Sequence, residues 1–389
     1  MNILGINFGK QKSIAPEVYT APLSAAQPDS IGSFSLASHG GIETDLPIIY
    51  PDRKYEWINY GEYNLYPEFL KDLYNTSPTH NAIVKTKAEI VVGEGWEYDK
   101  TMLSEDENIK ILSILKQLER DKYELSLDYQ IFGAMAIEVI WSLDFSRVVE
   151  VNRIDVSKLR SGTYEEGYIT EWYYKRNWAD NREEAVCIYP LDPSDKQHHR
   201  QLLYIPGQKV SNDYYGEPSY IGAVDWITLE SQVGLYYRSL IENGFNPSLL
   251  IKFYKRPVNQ DDRDRTVGDL KRSFGGVKNS GKVMTIFSDG KELAPDITPV
   301  DVQNVDKQFT VISDQITQKI LTGERATTPE LFGLSIPGQL GSGDFETKVK
   351  CFSKFVIRPD QLKFEEVIND ILKLNGHDVN LKMKPFKID

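Results

Sequence analysis

Three patterns in this chain contain residue types that could do chemistry, and the first is a glycine-rich phosphate loop. Residues 276–282 read GVKNSGK and satisfy the GxxxxGK pattern of nucleotide-binding proteins. Such a loop needs Ser or Thr directly after the lysine to hold magnesium, and it must open a helix whose N-terminus faces the phosphates. Here Val283 follows and a strand is predicted to begin. The segment is therefore interpreted as a polar connection between a helix and a strand.

The second pattern is the pair His198 and His199, within DPSDKQHHR. Neighbouring side chains point in different directions, so adjacent histidines seldom bind one metal ion without further ligands. The run is typical of a solvated β-hairpin loop. We expect neither a metal site nor a bound cofactor.

Paired carboxylates form the third pattern, because two acids on either side of a bond can hydrolyse it. The candidates are Glu165 with Glu166, Glu183 with Glu184, and Asp261 with Asp262, all within polar runs typical of a solvated surface. A paired-carboxylate hydrolase stays open as an alternative, although we do not expect an enzyme.

Aromatic residues cluster at Trp172, Tyr173, Tyr174 and Trp178. Such rings could stack on sugars or bases, but aromatic residues in strands more often pack in the core or at an interface. The cluster is therefore interpreted as packing.

Charge and composition narrow the possible partners. The 389 residues contain 45 Lys and Arg against 57 Asp and Glu, a net charge of −12, which is the wrong sign for tight binding to a phosphate backbone. Cys187 and Cys351 lack CxxC spacing, and no apolar run of about 18 residues occurs. We expect an intracellular protein that does not contact a membrane. A monomeric nucleic-acid-binding module is a weaker alternative.

Hydrophobic periodicity predicts the elements of the first half. Thr79 is predicted to cap a helix that ends at Gly93, and Ser104 to open a long helix, with a possible break, that reaches Gly133. Residues 135–210 have a period near two and predict antiparallel β structure. Residues 1–45 lack periodicity and predict an extended arm that packs against a neighbouring subunit.

In the second half, helices alternate with short β elements. A buried helix is predicted from Pro218-Ser219 to Gly244, followed by a strand. An acidic-start helix (261–274) and a short β unit come next. Val305, Phe309, Ile312, Ile316 and Ile320 then lie on one face of a helix closed by Gly323. The last helix is capped by Asp344, is interrupted at Pro359 and ends at Gly376.

Between the last two helices lies a segment, residues 323–343, with five glycines, two prolines and no charge after Glu330. Long surface loops usually carry charges that keep their backbone in water. This segment instead predicts a flexible, uncharged and partly apolar tip.

Four stretches in this order resemble portal proteins of tailed bacteriophages, from roughly residue 50 to residue 373. NAIVKTKAEIVVGEGW is similar to the early helix and its glycine turn, and IFGAMAIEVIW with VVEVNRIDVSKLR to the helix-to-strand passage that follows. YYGEPSYIGAVDWITLESQVGLYYRSLIENGFNPSLLIKF is similar to the long wing helix and next strand. The stretch from DVQNVDKQF to EEVINDIL resembles a stem helix, tunnel loop and kinked helix.

The resemblance implies an α+β portal fold with a short or absent crown. Its divisions would be an N-terminal arm (1–45), wing (46–256), first stem helix (257–277), clip (278–303), second stem helix (304–322), tunnel loop (323–343), kinked wing or crown helix (344–376) and C-terminal tail (377–389).

It also implies a function and a set of sites. A ring, typically of twelve copies, would stand at the unique portal vertex of the virion after assembly in the host bacterial cytoplasm. Double-stranded DNA would pass through it, and the partners would be the major capsid protein, the terminase large subunit and then a head-to-tail adaptor. Partners would dock at Asp289, Gly290, Lys291 and Glu292, and Pro359 would kink the last helix. The tunnel-loop tip would consist of Leu334, Ser335, Ile336, Pro337, Gly338, Gln339, Leu340, Gly341 and Ser342.

Overall fold

The computed structural model describes residues 49, 55–61, 63–101, 103–165, 167–180, 182–242, 248–253, 261–262, 264–265, 282–287, 296–299, 305–326, 329–334 and 345–386. The predicted arm (1–45) lies outside these residues. Contacts divide the chain into two units. The larger contains Ser38–Glu242 and Val302–Asp389, and the smaller contains Asn243–Asp301.

Most helices belong to the larger unit and are amphipathic. They are α1 (Tyr66–Thr76), α2 (Pro78–Val92), α3 (Glu105–Phe132), α4 (Val224–Glu242), α5 (Val305–Gly323), α6 (Phe345–Phe352) and α7 (Arg358–Leu374). No helix among the described residues is long and apolar enough to cross a membrane.

Local capping explains where α2 and α3 begin and end. The predicted cap at Thr79 is wrong: Ser77 caps α2 and accepts a hydrogen bond from the His80 backbone N–H, because Pro78 suits the first helical position. The Ser104 prediction is confirmed by a capping box with Glu107. The possible break is absent, and α3 runs unbroken for 28 residues to Gly133 in the left-handed conformation.

A six-stranded sheet packs against α3 and confirms the predicted β region. The strands are β2 (Ala134–Trp141), β3 (Val148–Arg153), β4 (Leu159–Ser161), β7 (Trp172–Tyr174), β8 (Val186–Pro190) and β9 (Arg200–Pro206). Their order in the sheet is β3-β2-β9-β8-β7-β4. Every pairing is antiparallel except β8 with β9, which is parallel. The loop that carries His198 and His199 is thus not a hairpin turn, because a hairpin requires antiparallel strands.

Two short strand pairs complete the larger unit. Strand β1 (Trp96–Glu97) pairs antiparallel with β13 (Lys382–Met383), which joins the C-terminal residues to the end of α2. Strand β5 (Tyr164–Glu165) pairs with β6 (Tyr168–Ile169).

Helices α4 and α5 pack against each other in opposite directions. Ala223, just before α4, lies against Gly323 at the end of α5, and Lys319 lies 6.0 Å from the ring centre of Trp226. The predicted burial of α4 is wrong at Leu235, which is 56% exposed, whereas Val233 packs against the core. On α5, Ile316 and Ile320 are buried, whereas Ile312 is exposed and Val311 is 56% exposed. Among the side chains that the structure describes, Ile227 of α4 and Ile316 and Ile320 of α5 belong to the core.

The last helical stretch is irregular where the sequence predicted an interruption. A π-helical turn (Ser353–Ile357) joins α6 to α7, and Pro359 stands in the first turn of α7. Phe352 and Phe364 are buried, whereas Phe345 is exposed. Proline lacks the N–H that a continuous α-helix needs, so the helix changes its hydrogen-bonding pattern here.

The smaller unit contains a three-stranded sheet. Strand β10 (Ser248–Phe253) lies in the middle, parallel to β11 (Lys282–Phe287) and antiparallel to β12 (Asp296–Pro299). Residues 261–262 and 264–265 are helical and lie between the two parallel strands in sequence. Parallel neighbours need a crossover connection, and a helix usually provides it. This arrangement is typical of a β-α-β unit.

Gly133 and Gly376 allow the cost of a strained backbone to be compared with the cost of a steric clash. Gly133 (φ 67°) and Gly376 (φ 79°) both adopt the left-handed conformation. A Cβ on Gly133 would lie 2.1 Å from the backbone of Glu217, whereas a Cβ on Gly376 would meet no described atom within 4 Å.

We expect Gly376→Ala to lower the free energy of unfolding by about 1–2 kcal/mol through backbone strain alone, and Gly133→Ala to lower it by about 1–3 kcal/mol more. Urea denaturation of both variants measures this, and equal losses would contradict it.

Candidate functional site

The sequence-predicted site residues fall mostly outside the described residues. Asp289, Gly290, Lys291 and Glu292 all do, as does the loop tip beyond Leu334. Leu334 is half-buried against the core, and Pro359 lies in the first turn of α7. The described part of the predicted loop region is therefore its base, residues 323–326 and 329–334.

This base is packed into the protein rather than spread over its surface. Glu324, Ala326, Pro329 and Phe332 are buried, and a short 3₁₀ turn (Pro329–Phe332) carries the last two. The Phe332 ring meets Phe352 of α6 edge-to-face, with ring centres 5.4 Å apart. The expectation of a surface loop starting at Gly323 is wrong for these residues, because apolar side chains here reach the core.

A buried charge cluster fixes the first residue after α5. Glu324 is 1% exposed, and its two carboxylate oxygens bind two side chains of α2. His80 Nδ1 lies 2.6 Å from Oε1, and Lys87 Nζ donates to Oε2 at 2.6 Å. His80 and Lys87 are seven residues apart, which places them on one face of α2. The cluster thus joins the end of α5 to an early helix.

Opposing electrostatic effects decide the charge of Glu324. Burial alone would raise the pKa of its carboxyl, since removal from water disfavours the charged form. The Lys87 charge, together with the hydrogen bonds from His80 and Lys87, outweighs burial and lowers the pKa from 4.5 to about 2. Glu324 therefore stays ionised at neutral pH although it is buried.

Close packing surrounds the cluster. The His80 ring meets Tyr220 edge-to-face with centres 4.3 Å apart, and the Tyr220 hydroxyl donates to the Ile131 carbonyl at 2.7 Å. A Cβ on Gly323 would come within 2.5 Å of the Ala223 Cβ, so glycine lets α5 approach the start of α4. Both Glu324 oxygens are occupied, and the cluster is closed to water. The arrangement anchors chain segments and leaves no acid or base facing a substrate.

A second carboxylate joins α2 to α4. Glu230 accepts hydrogen bonds from the Ser77 hydroxyl and from the backbone N–H and hydroxyl of Thr79, the last two at 3.2 and 2.6 Å. These groups lie at the N-terminus of α2, where unpaired N–H groups favour a negative charge. Helix α2 therefore holds both α4 and the end of α5.

The residues proposed for chemistry are not brought together. His198 stacks on Tyr189 and lies 2.7 Å from Asp195, whereas His199 stacks on Phe145. Within the described ranges, no group of three or more His, Cys, Asp or Glu is placed to hold a metal.

The carboxylate pairs and the aromatic cluster also have ordinary structural surroundings. Glu165, Glu184, Asp261 and Asp262 are exposed, and Glu183 binds Arg176. In the aromatic cluster, Trp172, Tyr173 and Trp178 are buried, which confirms its interpretation as packing.

Sequence reasoning missed the cluster of His80, Lys87 and Glu324. The available signal was a histidine and a lysine on the otherwise apolar face of α2. Their partner is 237 residues beyond Lys87, so no local spacing could identify it.

Solved structures share the fold of this chain. One chain, described as part of the virion of a native gene transfer agent (GTA) particle, superposes with a TM-score of 0.54 at 14% identity, over 82% of this chain and 83% of that chain. A chain from the neck of the native GTA particle, computed with C12 symmetry, gives a TM-score of 0.53 at the same identity and coverage. An HK97 family phage portal protein from Corynebacterium diphtheriae gives 0.47 at 12% identity, over 80% and 94% of the two chains.

The fold assignment rests on the two GTA matches, and at this level of identity they establish the fold alone. The chain shares its fold, with mixed helices and largely antiparallel sheets, with chains of the GTA particle and its neck. No family model and no curated protein match the chain.

Glu324→Gln should destabilise the protein strongly, because it leaves Lys87 buried without a countercharge. Losing one partner of a buried ion pair costs about 3–5 kcal/mol. Adding Lys87→Met should restore most of the loss. The matched control is Glu346→Gln, which removes an exposed ion pair with Lys350 and should leave the urea midpoint unchanged. Similar urea midpoints for Glu324→Gln and the control would show that the buried ion pair of Glu324 with Lys87 does not stabilise the protein.

The same carboxylate should make stability depend on pH in acid. Its pKa is lower in the folded protein than in the unfolded chain, so its contribution is full above about pH 4.5 and is lost as the pH falls towards 2. Urea midpoints of the wild type and Glu324→Gln should therefore converge over that range. A difference that stays constant from pH 5 to pH 2.5 would contradict this.

Proposed function

We propose that this chain is a portal protein, which forms a ring at one vertex of a capsid and gives passage to double-stranded DNA. The observation that supports this most strongly is the fold shared with a chain from a particle neck, over four fifths of both chains. That neck was computed with C12 symmetry, and on this basis we propose a ring of twelve copies, located in the virion at the portal vertex after assembly in the host cytoplasm.

The described topology supports a different division of stem and clip from the one drawn from sequence. The chain leaves the larger unit after α4 and returns to it at α5, and these two helices pack antiparallel. We therefore assign α4 and α5 as the two stem helices. The unit Asn243–Asp301, with β10 in the middle of its sheet, becomes the clip. The segment predicted as a helix at 261–274, first assigned to the stem, becomes the crossover inside the clip; its described residues, 261–262 and 264–265, are helical.

The net negative charge of the chain is favourable for a channel through which DNA moves. A channel rich in lysine would bind successive phosphates and resist sliding, whereas an acidic or neutral lining repels the duplex from the wall. The net charge of −12 and the uncharged tip Leu334–Ser342 both favour weak, sequence-independent contact.

The buried residues at the base of the loop, Glu324 and Phe332, provide a mechanical argument for the portal proposal. A loop that touches moving DNA transmits force to its root, and here the root is held by a buried ion pair and by the packing of Phe332 on Phe352. The tip of the loop could then move under load while the residues at its base stay in position.

Partners follow from this assignment. Terminase and then a head-to-tail adaptor would dock on the clip near Asp289, Gly290, Lys291 and Glu292, and the major capsid protein would surround the ring. The chain would act as a conduit and a docking platform, without enzymatic activity.

Electron microscopy of the purified protein, alone and co-expressed with its capsid and scaffold proteins, tests the ring. We expect closed rings with a central hole in at least one preparation. A chain that stays monomeric in both, or that turns over a substrate as a monomer, would refute the portal assignment.

The same system tests the loop tip. Gln339→Arg with Ser342→Arg should slow packaging, more so at low salt, because arginines bind the passing phosphates. Gln339→Asn with Ser342→Asn is the neutral control. Equal DNA content in particles of both variants would exclude contact with the tip.

A further inference from the structure

A groove of about 680 Å³ is lined by α6, the π-helical turn, the start of α7, the end of α2 and strand β13. Its apolar lining includes Ile90, Leu331, Val349, Ile357, Met383 and Phe386. Val349 and Met383 are buried, whereas Phe386 is 47% exposed, so the groove has an apolar floor and an open mouth. A volume in this range accepts several side chains of a ligand.

Hydrogen bonds hold the walls of this groove in position. Gln361 Nε2 donates to the Val91 carbonyl at 3.1 Å, which fixes α7 against the end of α2. Glu365 binds Arg358 and also accepts a hydrogen bond from the Met383 N–H at 2.7 Å, which fixes β13 against α7. The groove is therefore formed before a ligand arrives, and little ordering cost opposes binding.

The rim of the groove carries the opposite charge to the chain as a whole. Lys350, Lys354, Arg358 and Lys382 line it, against one acid, Glu97. The whole chain has a net charge of −12, so its lysines and arginines are in the minority. A basic rim favours a ligand of negative charge, because complementary charges attract and like charges repel at an interface.

Two of the rim lysines are available to such a ligand. Lys350 and Arg358 already form ion pairs within the chain. Lys354 and Lys382 are exposed, and neither has a carboxylate within 4 Å among the described residues, although Glu97 is the partner of Lys382 in the β1–β13 pairing. Their positive charges are therefore not neutralised by a direct contact in the described part of the chain.

The placement of the cations indicates a ligand with more than one carboxylate. Lys350 and Lys354 are one helical turn apart, and Lys382 belongs to a different element, β13. A fatty acid has a single carboxylate and would match only one of them. An amphipathic helix can place apolar side chains in the groove and carboxylates four residues apart at its rim.

We propose that this groove is a docking site for an acidic amphipathic helix of a partner protein. The apolar side chains of that helix would cover Phe386 and the floor of the groove, and its carboxylates would pair with Lys354 and Lys382. All the lining residues belong to one chain, so the site does not depend on a ring or on DNA.

Three synthetic helical peptides of about five turns test the site by fluorescence polarisation with the purified full-length chain. All three have leucines at positions i, i+3, i+4 and i+7, and their polar positions carry glutamate, glutamine or lysine. Only the glutamate peptide should bind saturably, and added salt should weaken its binding. Equal binding of the three peptides, or no binding of the glutamate peptide, would overturn the proposal.

Substitutions at the rim show whether the peptide binds in the groove. Lys354→Gln with Lys382→Gln should weaken binding of the glutamate peptide by about threefold to tenfold, the effect of losing two exposed ion pairs. Phe386→Ala should also weaken it, because the exposed ring no longer packs on the leucines. Lys373→Gln removes an exposed ion pair with Asp370 outside the groove and should leave the affinity unchanged.

Unchanged affinity in both groove variants would show that the peptide binds elsewhere and would overturn the proposal. Two further outcomes would identify a different occupant. If oleate binds with higher affinity than the glutamate peptide, the groove accepts a small amphiphile. If the lysine variant dissociates an oligomer of the wild-type chain, a second copy occupies the groove. Each of these results is independent of the portal assignment.

Discussion

The buried carboxylate of Glu324 is the constraint on which the arrangement of the larger unit depends. A charge out of water is tolerable only if its partners are close and well oriented, and here both come from α2. This requirement fixes the end of α5 against α2. It also demands glycine at position 323, where α5 meets the start of α4. One ionised group therefore sets the relative placement of three helices.

Helix α2 acts as the common support for elements that come much later in the chain. Its N-terminus binds Glu230 of α4, its middle binds Glu324, and its last carbonyls accept from Gln361 of α7. The helical geometry becomes irregular between α6 and α7, where Pro359 prevents a continuous helix.

In the proposed portal, the anchored base and the uncharged tip of the loop would meet two needs. A channel for DNA needs a wall that does not bind phosphate, and it needs a loop whose tip can move while its base stays in position. The acidic chain and uncharged tip meet the first need. The anchored base meets the second. Among the described residues first considered for chemistry, His198 and His199 stack on aromatic rings, and Glu165, Glu184, Asp261 and Asp262 are exposed.

The sequence by itself determined the local elements, because capping and periodicity act over a few residues. Ser104 and Gly133 bound α3 as predicted, Pro359 interrupts the last helix, and residues 135–210 form the predicted β region. Tertiary structure alone decided the rest. It left Leu235 of α4 exposed, placed β10 between β11 and β12, and brought Glu324 to His80 and Lys87. These outcomes depend on partners tens to hundreds of residues away, and neither periodicity nor spacing records such distances.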